Sequence, residues 1–154
     1  MFEKVCMHAV YSEGRYFLPR YDKYLDNAGI YYSEIMQLSE LGLIYNDASI
    51  VLKIKPQEGI NILLSNNNLL ITYNFADSKI SQFNVSQYPF TQVGYEIASL
   101  KGLCTTDEEF IEFAKEIKAT APTAGIAVHR IRRYGDHIQY ETVSLITEDT
   151  PKNQ

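Results

Sequence analysis

Residues 30–54, IYYSEIMQLSELGLIYNDASIVLKI, constrain this chain most, because they read as a short helix that stops at a glycine and hands over to a strand. Tyr31, Ile35, Leu38 and Leu41 recur at helical spacing, and Ser33, Glu34, Gln37 and Glu40 fill the other face. Gly42 stands where a left-handed residue closes a helix, with apolar Leu43 just beyond it. The junction speaks to architecture; on its own it carries no chemistry.

The rest of the chain alternates helix and strand signals. Phe2, Val5, Cys6, Ala9 and Val10 give a helical stripe that starts almost at Met1, which suggests a chain cut from something longer. Arg15 to Leu18 reads as a short strand interrupted by Pro19, and residues 49–55 as a strand ended by a turn at Pro56 and Gly59. Residues 60–64 and 69–73 are apolar arms around an asparagine turn, a strong hairpin signal that implies burial on both faces. A further strand is expected around residues 80–85. Thr91 is a suitable N-cap for the next helix, with Phe90 placed to pack on Tyr95, and Gly94 inside that helix implies close approach to a neighbour. Thr106-Asp107-Glu108-Glu109 is a capping box for a helix that Pro122 ends. Residues 125–146 form a second hairpin turning at Gly135-Asp136, which sets Arg130 opposite Glu141 and Val128 opposite Val143. Residues 1–146 therefore read as one α+β domain, winged-helix-like, with an antiparallel sheet, two β-hairpins and about four helices. The polar tail 147–154, with Pro151, is expected to be disordered.

At 154 residues and 45% hydrophobic, the chain can bury a core without disulfide or metal staples. A net charge of −5 argues against a domain whose main task is to neutralise phosphates. No apolar run approaches the roughly 18 residues that would cross a bilayer, and the first residues lack a signal-peptide core. A cytoplasmic protein without membrane contact is the expectation.

Candidate chemistry is sparse. A winged-helix recognition helix needs Arg, Lys, Asn or Gln toward base edges, whereas residues 31–41 offer Glu34 and Glu40 with no cation. The densest positive spot is His129-Arg130-Ile131-Arg132-Arg133, which strand alternation splits between two faces, with Glu141 set to neutralise Arg130 in part. Arg130, Arg132 and Arg133, with Lys53 and Lys55, are the candidate nucleic-acid contacts. Cys104 precedes the capped helix, but the acids of its first turn oppose a thiolate, and Cys6 lies on an apolar stripe. Three histidines and two cysteines show no metal-ligand spacing, and no glycine-rich phosphate loop is present, so no metal, cofactor or catalytic residue is assigned.

Two phrases carry a family resemblance. Leu38-Ser39-Glu40-Leu41-Gly42-Leu43-Ile44 is followed about fifty positions later by Pro89-Phe90-Thr91-Gln92-Val93-Gly94-Tyr95-Glu96-Ile97. In this order they resemble the "L.e.GLI" and "LT.aG.EL" helices of the DUF2806 proteins, a bacterial family of unknown function, with Phe90 and Ile97 in place of leucines. The likeness spans roughly residues 2–131. It implies a bacterial, cytoplasmic protein longer than this chain, with this part at its C-terminal end, and it transfers no catalytic residue.

A non-catalytic interaction or regulatory module that contacts protein, either its own longer chain or another subunit, is therefore the expected function. The alternative is a nucleic-acid-binding domain that uses the basic C-terminal hairpin. Behind both stands an enzyme completed by segments outside this chain.

Overall fold

The computed structural model describes residues 1–55, 62–66, 68–74, 82–101, 105–122 and 124–147, with Ile62 and Leu63 described by backbone alone. The expected turn at Pro56 and Gly59, Cys104 and most of the tail lie outside them. The elements in chain order are α1 (Phe2–Met7), β1 (Val10–Ser12), β2 (Arg15–Pro19), α2 (Asp22–Ala28), α3 (Tyr32–Glu40), β3 (Val51–Ile54), β4 (Ile62–Asn66), β5 (Leu69–Asn74), β6 (Phe83–Pro89), α4 (Gln92–Lys101), α5 (Asp107–Thr120), β7 (Gly125–Tyr134) and β8 (His137–Ile146). The class is mixed α+β. All strands join one antiparallel sheet in the order β3-β6-β2-β1-β4-β5-β7-β8.

Among the described residues there are five helices and three hairpins, against the four and two expected from the sequence. The extra helix is α2, whose seven residues DKYLDNA contain too few apolar positions to show a period. The extra hairpin joins β1 to β2 through Glu13 and Gly14, both at positive φ. Glutamate is an uncommon residue in that conformation, so the usual Asn-Gly or Asp-Gly signal is missing. The first helix also stops at Met7, leaving Ala9 in the link to β1 and Val10 as its first residue, although both are buried as the stripe implied.

Strand alternation in β2 places its helical partners on opposite faces. Phe17 meets Phe113 of α5 at 6.2 Å between ring centroids, while Tyr16 meets Tyr95 of α4 at 5.0 Å. Phe113 also stacks with Tyr21, Tyr24 and Phe110. α5 packs on β5, β6, β7 and β8, so one helix supplies core to strands from both ends of the sheet. Its N-terminus is built as the capping box requires: the Glu109 N–H donates to Thr106 Oγ1 at 3.3 Å, and the Glu109 carboxylate accepts from the Thr106 N–H. At the other end Lys118 donates to the carbonyls of Pro122 and Ala124.

Candidate functional site

Three surfaces bear on function: the exposed side of α3, the clasp that holds α3 to α4, and the β7–β8 hairpin.

α3 ends in a Schellman motif. The Leu43 N–H donates to the Leu38 carbonyl and the Gly42 N–H to the Ser39 carbonyl, both at 3.0 Å, with Gly42 at a φ of +72°. The chain then runs antiparallel to the segment before α4. Tyr45 N–H donates to the Pro89 carbonyl at 2.8 Å, Ile44 bridges Phe90, and Thr91 N–H donates to the Leu43 carbonyl at 3.0 Å. Thr91 Oγ1 donates to the Gly42 carbonyl at 2.6 Å and accepts from the Gly94 N–H at 3.1 Å, so one hydroxyl caps α4 and ties it to α3. A Cβ on Gly94 would stand 2.0 Å from the Leu43 carbonyl oxygen. That is the close approach the glycine implied. The ring of Tyr16 lies against both Phe90 and Tyr95.

Within the α3 stripe only Ile35 and Leu38 are fully buried. Tyr31 and Leu41 are exposed, because they are the caps of the helix and fall outside its rotational pattern. The resulting outer surface carries Tyr31 (67% exposed), Tyr32 (62%), Met36, Leu41 and Tyr45 beside the carboxylates Glu34 and Glu40. Glu34 accepts from Lys4 Nζ at 2.7 Å and from the Tyr31 N–H at 2.9 Å, and these bonds hold its carboxyl below the ordinary range. Tyr45 also lines a groove of about 820 Å³ with Arg15, Tyr16, Ile50, Gln87 and Tyr95. α4 adds a second exposed apolar stripe at helical spacing, Val93, Ile97 and Leu100, the last 87% exposed.

The sequence-derived basic residues do not come together. Lys53 lies on β3 and Lys55 just after it, at one edge of the sheet, while Arg130, Arg132 and Arg133 lie on β7. Six strand spacings separate β3 from β7, roughly 29 Å across a flat sheet at about 4.8 Å per strand. Within β7 the positive charge is largely committed. Arg130 pairs with Asp107 at the start of α5, and Arg132 donates from Nε at 3.0 Å and from Nη2 at 2.9 Å to Glu141. The hairpin pattern sets Glu141 opposite Arg130. The two are register partners, but Asp107 takes the guanidinium from the packed helix. Val128 pairs with Ser144 in place of Val143, because a bulge shifts the register between Val128 and His129. His129 is wedged between the hydroxyls of Thr72 (2.8 Å) and Thr142 (3.2 Å), and burial pushes its pKa down, so it adds no cation. Of the three β7 arginines only Arg133 has no ion pair among the described residues.

Nucleophile chemistry finds little support. Burial, reinforced by Glu3, pushes the Cys6 thiol up to about 11, which holds it in the unreactive protonated form. His8 contacts Glu109 at 2.9 Å, but that carboxylate also serves the capping box, and Tyr24 donates to the His8 carbonyl, so the trio joins α1, α2 and α5. No group of three or more metal-ligating side chains occurs among the described residues. None of the helices described is long and apolar enough to cross a membrane.

Residues 17–115 match the sequence profile of a family described as "Protein of unknown function (DUF2806)". They make up more than half of the chain and contain both halves of the clasp. The chain belongs to the DUF2806 family. The match is narrower than the resemblance read from the two phrases, and leaves out α1, β1, β7 and β8. No curated protein matches the chain, and neither does any solved structure.

Proposed function

We propose that this DUF2806 chain is a non-catalytic, winged-helix-like module that contacts protein through the outer side of α3. The winged-helix reading is supported by the order α1, β2, α2, α3, β3, β6, in which β6 lies between β3 and β2 and α2 and α3 are joined by a tight turn at Gly29. On this reading β4 and β5 are an elaboration of the wing. The observation that carries the protein-contact assignment is the composition of the α3 surface: exposed Tyr31, Tyr32, Met36, Leu41 and Glu40, no lysine or arginine on the helix itself, and the one neighbouring cation, Lys4, paired with Glu34. Aromatic and methionine side chains are what protein interfaces enrich, and carboxylates repel a phosphate backbone. A cytoplasmic setting fits the free thiol of Cys6.

The alternative is nucleic-acid contact through Arg130, Arg132, Arg133, Lys53 and Lys55, and the observation that favours it is that Arg133 has no ion pair among the described residues. One experiment separates the readings. The chain is mixed with DNA and RNA fragments at low and at physiological salt, beside an Arg130/Arg132/Arg133 to alanine variant. In parallel, a photo-crosslinking residue at Tyr32 is tested with and without Tyr31→Ser and Met36→Ser. The expected result is no nucleic-acid binding and a protein crosslink that the two serines abolish. Salt-sensitive binding lost in the arginine variant overturns the proposal.

A further inference from the structure

The two edges of the sheet differ in how they meet solvent. β3 is four residues long and exposes Lys53, a charge that discourages another strand from pairing there. β8 is ten residues long, contains no Lys, Arg or Pro, and among the described residues pairs only with β7. Tyr134 and His137 flank a two-residue turn and form a hydrogen-bonded pair, so the N–H and C=O of Ile138, Tyr140 and Thr142 point away from β7. Ile138 (53% exposed) and Tyr140 (55%) share one face, beside Ile131 and Arg133 of β7. His137, Gln139 and Glu141 share the other.

We infer that β8 is a self-association edge, at which a second copy of this chain pairs antiparallel about Gln139 and joins two eight-stranded sheets into one. The outer half of β8 is complementary to itself in this register. Ile138 lies opposite the second copy's Tyr140, and the outward-pointing backbone groups of these residues exchange hydrogen bonds. Ile131, Tyr140 and the second Ile138 then form a continuous apolar row across three strands. On the other face, His137 meets the second copy's Glu141, which accepts from Arg132 of its own copy, and the neutral Gln139 side chains meet at the two-fold axis. No like charges are set opposite each other. The register centred on Tyr140 instead places Gln139 against Glu141 and Ile138 against Thr142, and loses both kinds of match. This inference concerns a surface separate from α3 and stands apart from the proposed partner there.

Sedimentation of the 154-residue chain over a concentration series, with a disulfide trap, tests it. The wild-type chain is expected to shift to twice the chain mass as concentration rises. Gln139→Cys is expected to give a covalent dimer on oxidation, because residues facing across a non-hydrogen-bonded pair have Cα atoms close enough for a disulfide. His137→Cys, about four residues from its own counterpart, is expected to cross-link at no more than the wild-type level. Tyr140→Pro removes an outward N–H and is expected to abolish the dimer, with circular dichroism checking that the chain stays folded. A chain monomeric at every concentration overturns the inference. So does equal cross-linking of the two cysteine variants, whatever Tyr140→Pro does.

Discussion

The clasp between α3 and α4 and the outer half of the β7–β8 hairpin are both antiparallel backbone contacts, yet they treat their side chains oppositely. At the clasp, Ile44 and Phe90 are buried, Gly94 has no room for a methyl group, and a threonine hydroxyl is used twice. Along residues 132–142 of the hairpin, every side chain is exposed on one face or the other. The family match covers the whole clasp and stops before the hairpin begins. The difference teaches that the stretch matched by the family holds a closely packed junction, while the hairpin beyond it packs only at its base. There Ile126, Val128 and Ile146 are buried, and β7 and β8 pack on α5.

The comparison breaks most sharply at Gly94. Replacing it with alanine drives a methyl group into the Leu43 carbonyl at 2.0 Å, a backbone atom that cannot rotate away. Overpacking of this kind costs about 3 kcal/mol, well above the roughly 1 kcal/mol that alanine returns in helix propensity. Gly94→Ala should therefore lower the urea midpoint of unfolding by an amount equivalent to about 2 kcal/mol at unchanged slope. A midpoint that does not move would show that the clasp can open without loss.

The clasp was legible from the chain because its signals are local. Gly42 after a helical stripe, Thr91 before one, and a glycine within α4 each announce a backbone requirement in their own neighbourhood. Contact between the two phrases was not legible, because the family resemblance gave only their order along the chain. The carboxylates of α3 and its lack of cations could be read directly. The fate of the basic strand could not, because its neutralising partners arrive through tertiary packing. Asp107 lies 23 positions before Arg130, and Thr72 lies 57 before His129. Tyr31 and Leu41 were misplaced for a different reason: a period identifies a helix face but not the residues that cap it, and the caps turn outward. α2 escaped because a seven-residue helix spans too few turns to repeat a pattern.

A smaller effect is expected where α3 meets α1. Glu34 has its pKa lowered in the fold by Lys4 and by the Tyr31 N–H. A depressed carboxyl binds fewer protons folded than unfolded, so its contribution is present above the ordinary carboxylate pKa and is lost as pH falls through the folded value. Between about pH 6 and about pH 3 the wild-type chain should lose more stability than Glu34→Gln, and the two curves should converge at the acid end. Parallel curves would mean that the Lys4 contact is absent in solution, leaving the α3 carboxylate free for a partner.

The smallest effect should come from the hairpin, and it sharpens the contrast because the same kind of substitution gives opposite results at the two sites. Ile138→Lys places a cation on a surface that is already half solvated, next to no buried group. Exposed substitutions of this type change stability by no more than about 0.5 kcal/mol. Ile35→Lys, on the buried side of α3, would instead carry a charge into a site that is 1% exposed, and should leave the chain unfolded. Thermal unfolding of both variants, kept dilute so that association does not contribute, makes the comparison. If Ile138→Lys proved as damaging as Ile35→Lys, the outer hairpin would have to be packed against something in the free chain, and β8 would no longer be an edge open to a second copy.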